Sequence, residues 1–412
     1  MRRLPFVVAL LAVPFTSRPA EATFHEMNIV EFFPGTASNP NAQYVVLQMW
    51  ADDQNFVGGH ALQVFNAAGA VVGTFTFTDD VAHGVNQDKI LIATPEAVSL
   101  FGGLTSGADL AMTPVIPLAG GKICWASTID CVAWGSYSGS ATGVGTPFLA
   151  SRGLHRGEAV HRVLGANGTL EPTDDHDVSA SDFTLGAPTP VNNAREHGQI
   201  VDLILADGVE SGDLSAWSAS SIDGGDLSVT PTAALAATTR GIQAVVNDTN
   251  ALYVEDATPA AEARYRARFY FDPNDFDPGE ASSHFRVRIL IGFDDVGQRA
   301  ATLVLRRQGG AYSLEGRARR NDGTRADTGF IAITGAPHAI EINWVRASAP
   351  AAADGTFELF VDNQPVSFLT GIDDDASNID SVRLGALAVK VGAGGTLYFD
   401  EFVSRRQSYT GP

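Results

Sequence analysis

Along most of the chain the apolar positions recur at every second residue in short runs, and seldom at the spacing of a helix. Such runs are Tyr44–Met49, Ala61–Asn66 and Val71–Phe77 in the first half, and Ala263–Phe271, Phe285–Ile291 and Thr356–Val361 in the second. Gly, Asn, Asp and Pro separate them, as turns separate strands. One segment, Pro95–Phe101, reads as a short helical turn. Many short strands with turn signals between them predict an all-β chain folded as sandwiches or barrels.

The strand pattern breaks once, at Ala187-Pro188-Thr189-Pro190-Val191-Asn192-Asn193, before a new apolar run at Ile200–Leu205. A chain of 412 residues exceeds one ordinary domain. We therefore expect one sandwich over residues 23–195, a linker over 196–205 and a second, larger sandwich over 206–412. Residues 1–22 stand apart. Arg2 and Arg3 precede an apolar run, Leu4–Phe15, and the small-residue pattern Ala20-Glu21-Ala22 follows. That is the order of a secretory signal peptide. Its apolar run of 12 residues falls short of the roughly 20 needed to span a bilayer, and no other segment is long and apolar enough to do so. The expectation is a secreted or cell-surface-associated protein, cleaved near Ala22.

The two cysteines, Cys124 and Cys131, lie on apolar runs either side of a polar connection within Gly121–Gly135, which reads as a hairpin. In an exported chain such a pair most simply forms one disulfide.

Charge narrows the partners. Asp and Glu total 47 against 27 Lys and Arg, a formal net charge of −20. Such a balance argues against nucleic acid, whose phosphates require a basic surface. It leaves extracellular polysaccharide, a cell-surface component or a hard cation such as Ca²⁺ as candidates.

Within the second half the arginines alternate with apolar residues. Arg264, Arg266 and Arg268 oppose Tyr265, Ala267, Phe269 and Phe271. Arg286 and Arg288 oppose Phe285, Val287, Ile289 and Ile291, Arg306 closes a further strand, and Arg317 and Arg319 alternate again. If these strands are neighbours, Arg266, Arg268, Arg286, Arg288, Arg317 and Arg319 form a ladder on one face. Guanidinium groups bind carboxylates and sulfates bidentately, so that face is a candidate site for acidic polysaccharide. The alternative is a solvated face with cross-strand Asp and Glu partners.

The first half resembles a lamin-tail domain, an immunoglobulin-like β-sandwich. The resemblance rests on Asn28-Ile29-Val30-Glu31-Phe32, the loop Asn39–Gln43 leading into Tyr44–Gln48, Leu62–Gly69, Asp130–Gly135 and the close at Asp182-Phe183 and Pro188–Asn193. Val45 and Leu47 are expected on the core face and Val46 and Gln48 on the other. The resemblance implies an extracellular adaptor module and no catalytic residue. His155 and His161, six apart, fit no common metal spacing and are expected on the surface. Asp174-Asp175-His176-Asp177 is expected as a solvated acidic turn.

The second half resembles concanavalin-A-like and laminin-G-like jelly rolls. It opens with Asp207–Trp217, closes with Gly395–Phe402, and carries Ala339–Trp344 followed by Asp354–Asn363. The resemblance implies that the first and last strands lie side by side. It also implies that Glu210 and Asp400 bind one structural Ca²⁺; the other reading is that they hydrogen-bond loop backbone. Some jelly rolls are glycoside hydrolases or polysaccharide lyases. Glu341-Ile342-Asn343 departs from the paired carboxylates of a retaining hydrolase. Tyr265 and His284 are available to a lyase, but Tyr265 falls on an apolar strand face. No Gly-x-Ser-x-Gly, His-Glu-x-x-His or phosphate loop is present. The expectation is a non-catalytic binding or adhesion protein, with a lyase or hydrolase and a ligand-free spacer as the alternatives.

Overall fold

The computed structural model describes residues 24–36 and 39–411. The expected signal segment, residues 1–22, lies outside them. Within the described residues the regular structure is nearly all strand, in four sheets stacked as two sandwiches.

The first sandwich packs a six-stranded sheet on a four-stranded one. The larger runs Phe183–Gly186, Ala159–Arg162, Met27–Phe33, Tyr44–Met49, Lys89–Ala93 and Leu110–Ala111. The smaller runs Val71–Thr76, Ala61–Asn66, Gly120–Trp125 and Asp130–Gly135. Ile29, Val45, Leu47, Leu62, Val64, Ile123, Trp125 and Trp134 fill the space between them. The single core face expected for Tyr44–Met49 is corrected: all six residues are buried. Tyr44 and Val46 face a second, smaller core with Phe33 and Phe101. The helix Pro95–Leu100 roofs that core. It starts there because the Thr94 hydroxyl accepts the Ala97 N–H at 3.1 Å and Pro95 occupies the first helical position. The cysteines pair as expected: Cys124 and Cys131 sit directly opposite in the hairpin, Cα atoms 4.2 Å apart, and form a disulfide.

The second sandwich consists of two eight-stranded sheets. One contains Leu227–Thr230, Gly241–Val246, Gly395–Arg405, Arg264–Asp272, His338–Val345, Gly355–Val361 and Gln364–Ile372, with Leu203–Asp207 added along Gly395–Arg405. The first and last strands are therefore neighbours, and part of the expected linker is strand. The other sheet contains Ala219–Ser221, Leu252–Asp256, Ser381–Leu387, Arg286–Phe293, Arg299–Gln308, Ala311–Arg319 and Arg325–Asp327, with Ile331–Ile333 beside Ala311–Arg319. Tyr265, Phe269, Phe271, Leu303, Leu305, Trp344, Phe357 and Phe399 pack between the sheets. A Cβ on Gly316 would lie 2.2 Å from the Phe357 ring, so a glycine there lets the sheets approach.

Buried charge joins the sandwiches. Arg152 reaches Glu158 at 2.6 Å and Glu358 at 2.8 Å. His155 Nδ1 lies 3.0 Å from the same Glu358 carboxylate. Arg266 pairs with Glu341 at 3.1 Å and approaches Glu158 at 3.7 Å. Glu341 also accepts the Thr410 and Gly411 backbone N–H groups at 3.3 and 3.0 Å. Burial, then the neighbouring Glu358 charge, raises the Glu158 pKa. Burial also acts to raise Glu358, but the His155 hydrogen bond and the Arg152 charge together hold it below its ordinary value. Asn363 donates to Thr184 Oγ1 at 2.7 Å and Leu185 O at 2.9 Å, tying a hairpin tip of the second sandwich to the edge of the first.

Candidate ligand-binding face

Strand pairing decides which arginines meet. Strand Arg264–Asp272 belongs to one sheet, whereas Arg286–Phe293 and Ala311–Arg319 belong to the other. The single ladder is therefore corrected into two groups. Arg266 and Arg268 alternate with core residues as expected, but their face turns toward the first sandwich. Both are buried, Arg266 in the ionic network and under the Tyr409 ring. The strong apolar alternation of that strand gave no sign that its polar side would be covered as well.

Arg286, Arg288, Arg317 and Arg319 do come together. Strand Arg299–Gln308 lies between their two strands, with Arg288 opposite Val304, Val304 opposite Glu315, and Thr302 opposite Arg317. Strand Arg325–Asp327 continues the face, placing Arg325 opposite Arg319 and Asp327 opposite Arg317. The short side chains of Val304 and Thr302 form a low floor, and arginines from the flanking strands form its walls. Two hollows result. The larger, about 350 Å³, is lined by His284, Arg286, Arg288, Val304, Arg317, Arg325 and Lys390 among others. The smaller, about 170 Å³, shares Arg288, Arg317 and Arg325 with it and adds Arg299, Thr302 and Arg319.

The face is under-compensated. Arg317 pairs with Glu315, and Arg325 with Asp327 at 3.1 Å. Among the described residues Arg286, Arg288, Arg299 and Arg319 form no ion pair. Burial, then the charges of Arg299, Arg317 and Arg286, lowers the Arg288 pKa, though a guanidinium stays protonated near neutrality. Arg306, whose alternation suggested a place on this face, is drawn aside: it donates to Ser313 at 3.0 Å and lies 3.9 Å over the Phe330 ring.

Arg299, Arg325 and Lys390 were not singled out in the sequence. The turn Asn321-Asp322-Gly323-Thr324 is a hairpin signal that would have placed Arg325 beside Arg319. Arg299 opens a strand, and Lys390 arrives from a loop with no local pattern. Tyr265 lies in the core, away from this face, while His284 lines the larger hollow.

The two expected calcium ligands hold one loop. Glu210 accepts the Thr239 and Arg240 N–H groups at 3.1 and 2.9 Å and the Thr239 hydroxyl. Asp400 accepts the Leu235 N–H at 2.8 Å, the Thr238 hydroxyl at 2.5 Å and the Glu401 N–H at 2.8 Å. Calcium takes six to eight oxygen ligands, and here every carboxylate oxygen faces an N–H or O–H donor. The residues as placed fit a clamp on the loop rather than a calcium cage. His155, Glu158 and Glu358 offer ligand atoms within 4.8 Å of one another, but Arg152 and Arg266 already neutralise those carboxylates. The expected surface place of His155 is corrected accordingly. The acidic turn is solvated in part, with His176 and Asp177 exposed and Asp174 buried; Asp175 meets Arg162 at 3.3 Å and His176 meets Asp182 at 2.9 Å.

No protein-family model matches the chain, and no curated protein matches it. Solved structures similar to it include the T. cruzi calreticulin globular domain, 12% identical, covering 50% of this chain and 88% of that one with a TM-score of 0.35. Another is domain 4 of AbnA, a GH43 extracellular arabinanase from Geobacillus stearothermophilus, in complex with arabinotriose: 16% identical, 51% and 94% covered, TM-score 0.34. A third is alginate lyase Aly36B, 11% identical, 40% and 80% covered, TM-score 0.29. These likenesses are too distant to bear on what this chain does.

Proposed function

We propose that the chain is an exported binding protein that holds acidic extracellular polysaccharide on the arginine-lined face of its second sandwich. One observation carries this reading: seven cations line two joined hollows on a chain of formal net charge −20. A carboxylate or sulfate on a sugar ring matches the guanidinium fork. In this reading the first sandwich, with its lamin-tail resemblance, is a companion adaptor module.

The presence of His284 and Lys390 beside Arg286 and Arg288 favours one second reading, a lyase. Arginine would neutralise a uronate carboxylate while a side-chain base removed the adjacent C5 proton, a C4=C5 double bond formed, and the glycosidic oxygen left C4 and was protonated.

The test is binding to alginate, pectate and heparin, with DNA as a polyanion control and with the ultraviolet absorbance of unsaturated products followed. The expected result is salt-sensitive binding of at least one acidic glycan, stronger than DNA. Arg286→Ala plus Arg288→Ala should weaken it about tenfold or more, since each hydrogen bond to a charged group contributes about 1.5–3 kcal/mol. Accumulating unsaturated product would replace the binding reading with the lyase. Absence of binding to every glycan would leave the spacer.

A further inference from the structure

We propose that the arginine face is a groove with two anion subsites, taking at least two successive acidic units of one chain rather than a single anion. This rests on the reading above that the face binds acidic glycan, and it says what form of glycan fits.

The two hollows are continuous through Arg288, Arg317 and Arg325. Their ends differ. Arg286 and Lys390 belong to the larger hollow, and Arg299 and Arg319 to the smaller. Neighbouring strands lie about 4.8 Å apart. Arg288 and Arg317 stand on strands separated by one other, so the walls are roughly 10 Å apart at the backbone.

Charge compensation is uneven along this path. Two of the three shared arginines are paired, Arg317 with Glu315 and Arg325 with Asp327. Of the other cations unpaired among the described residues, Arg286 and Lys390 stand at one end and Arg299 with Arg319 at the other, and the shared Arg288 serves both. Glu315, buried opposite Val304, takes up the charge of Arg317 and leaves less for an anion placed over that arginine. A single carboxylate would satisfy one end and leave the other uncompensated. A chain with acidic groups on successive units neutralises both, and its uncharged linkage passes over the Glu315–Arg317 pair.

Calorimetric titration with mono-, di- and tetragalacturonate and with pectate tests this, using wild type, Arg299→Ala plus Arg319→Ala, and Arg286→Ala plus Lys390→Ala. Arg299 is exposed and Arg319 half-buried, and matched melting temperatures verify that each variant folds. Wild-type affinity should rise about tenfold or more from the monomer to the longer ligands, as a second set of charge-assisted bonds engages. Arg299→Ala plus Arg319→Ala should abolish that step and leave the monomer affinity within about twofold. Arg286→Ala plus Lys390→Ala should weaken the monomer itself. Pectate binding with no dependence on length, or a length step that survives Arg299→Ala plus Arg319→Ala, overturns the two-subsite groove alone. If neither pectate nor any oligomer binds while alginate or heparin does, the subsites are overturned for galacturonate chains and the binding reading stands. If nothing acidic binds, both fall together.

Discussion

Arg152 is the residue on which two buried carboxylates depend, since Glu158 is 1% and Glu358 0% exposed and Arg152 contacts both. Removing one partner of a buried ionic cluster leaves charge uncompensated and costs about 3–5 kcal/mol. Arg152→Ala should therefore lower the free energy of unfolding by about that much in a denaturant titration. A loss below about 1 kcal/mol would show that water replaces the guanidinium without penalty. Asp109 provides a pH test. Burial raises its pKa to about 6 against an ordinary 3.8, although Oδ2 accepts the Leu91 and Asn193 N–H groups at 2.7 and 2.8 Å. The folded state thus holds this proton more tightly than the unfolded chain. The contribution of Asp109 to stability is greatest below pH 3.8 and falls as pH rises to about 6. The loss amounts to about 3 kcal/mol at most, at 1.36 kcal/mol per pKa unit. Asp109→Asn keeps an acceptor for both N–H groups, so it should flatten this part of the pH profile of melting temperature. An unchanged slope would assign the dependence to other buried acids, such as Asp130.

At the scale of elements, the Cys124–Cys131 hairpin and the loop clamp yield separate tests. Replacing both cysteines by serine should cost about 2–3 kcal/mol, because the closed loop is short. Chelation should leave the melting temperature unchanged, because Glu210 and Asp400 already have protein donors, whereas Asp400→Ala should lower it. A fall on chelation would support the calcium expectation instead. Much of this level was legible in the chain. The strands Tyr44–Met49 and Ala61–Asn66 form with the limits their alternation gives. The hairpin at Gly121–Gly135 and the adjacency of the opening and closing strands also follow the sequence. Alternation determines which side of a strand meets its own core, but it is blind to what covers the other side. That is why Val46 and Gln48 are buried, why Arg266 turns out to be an interface residue, and why Arg268 is buried as well. Nor does alternation rank strands into sheets: Arg264–Asp272 and Arg286–Phe293 are adjacent in sequence and lie in different sheets. Half of the candidate site was therefore readable; Arg299 became visible only once the register was known, and Lys390 only once its loop was placed.

Across the whole molecule, the two sandwiches share a buried ionic network and the Asn363 contacts, while the arginine face lies on the sheet that does not carry the network. Docking and the proposed ligand binding therefore use opposite sides of the second sandwich. Such coupling predicts one calorimetric unfolding transition for the full chain, and two transitions would show that the shared network contributes little. The chain as a whole is acidic, so its basic face is a local feature whose attraction to polyanions falls steeply with salt. The most direct test is titration of an acidic glycan that binds the wild type into Arg286→Glu plus Arg288→Glu, at matched salt and with melting temperatures verified as equal. Binding lost by about a hundredfold or more, with folding intact, is the predicted result. Affinity equal to that of the wild type would place the ligand elsewhere and contradict the account.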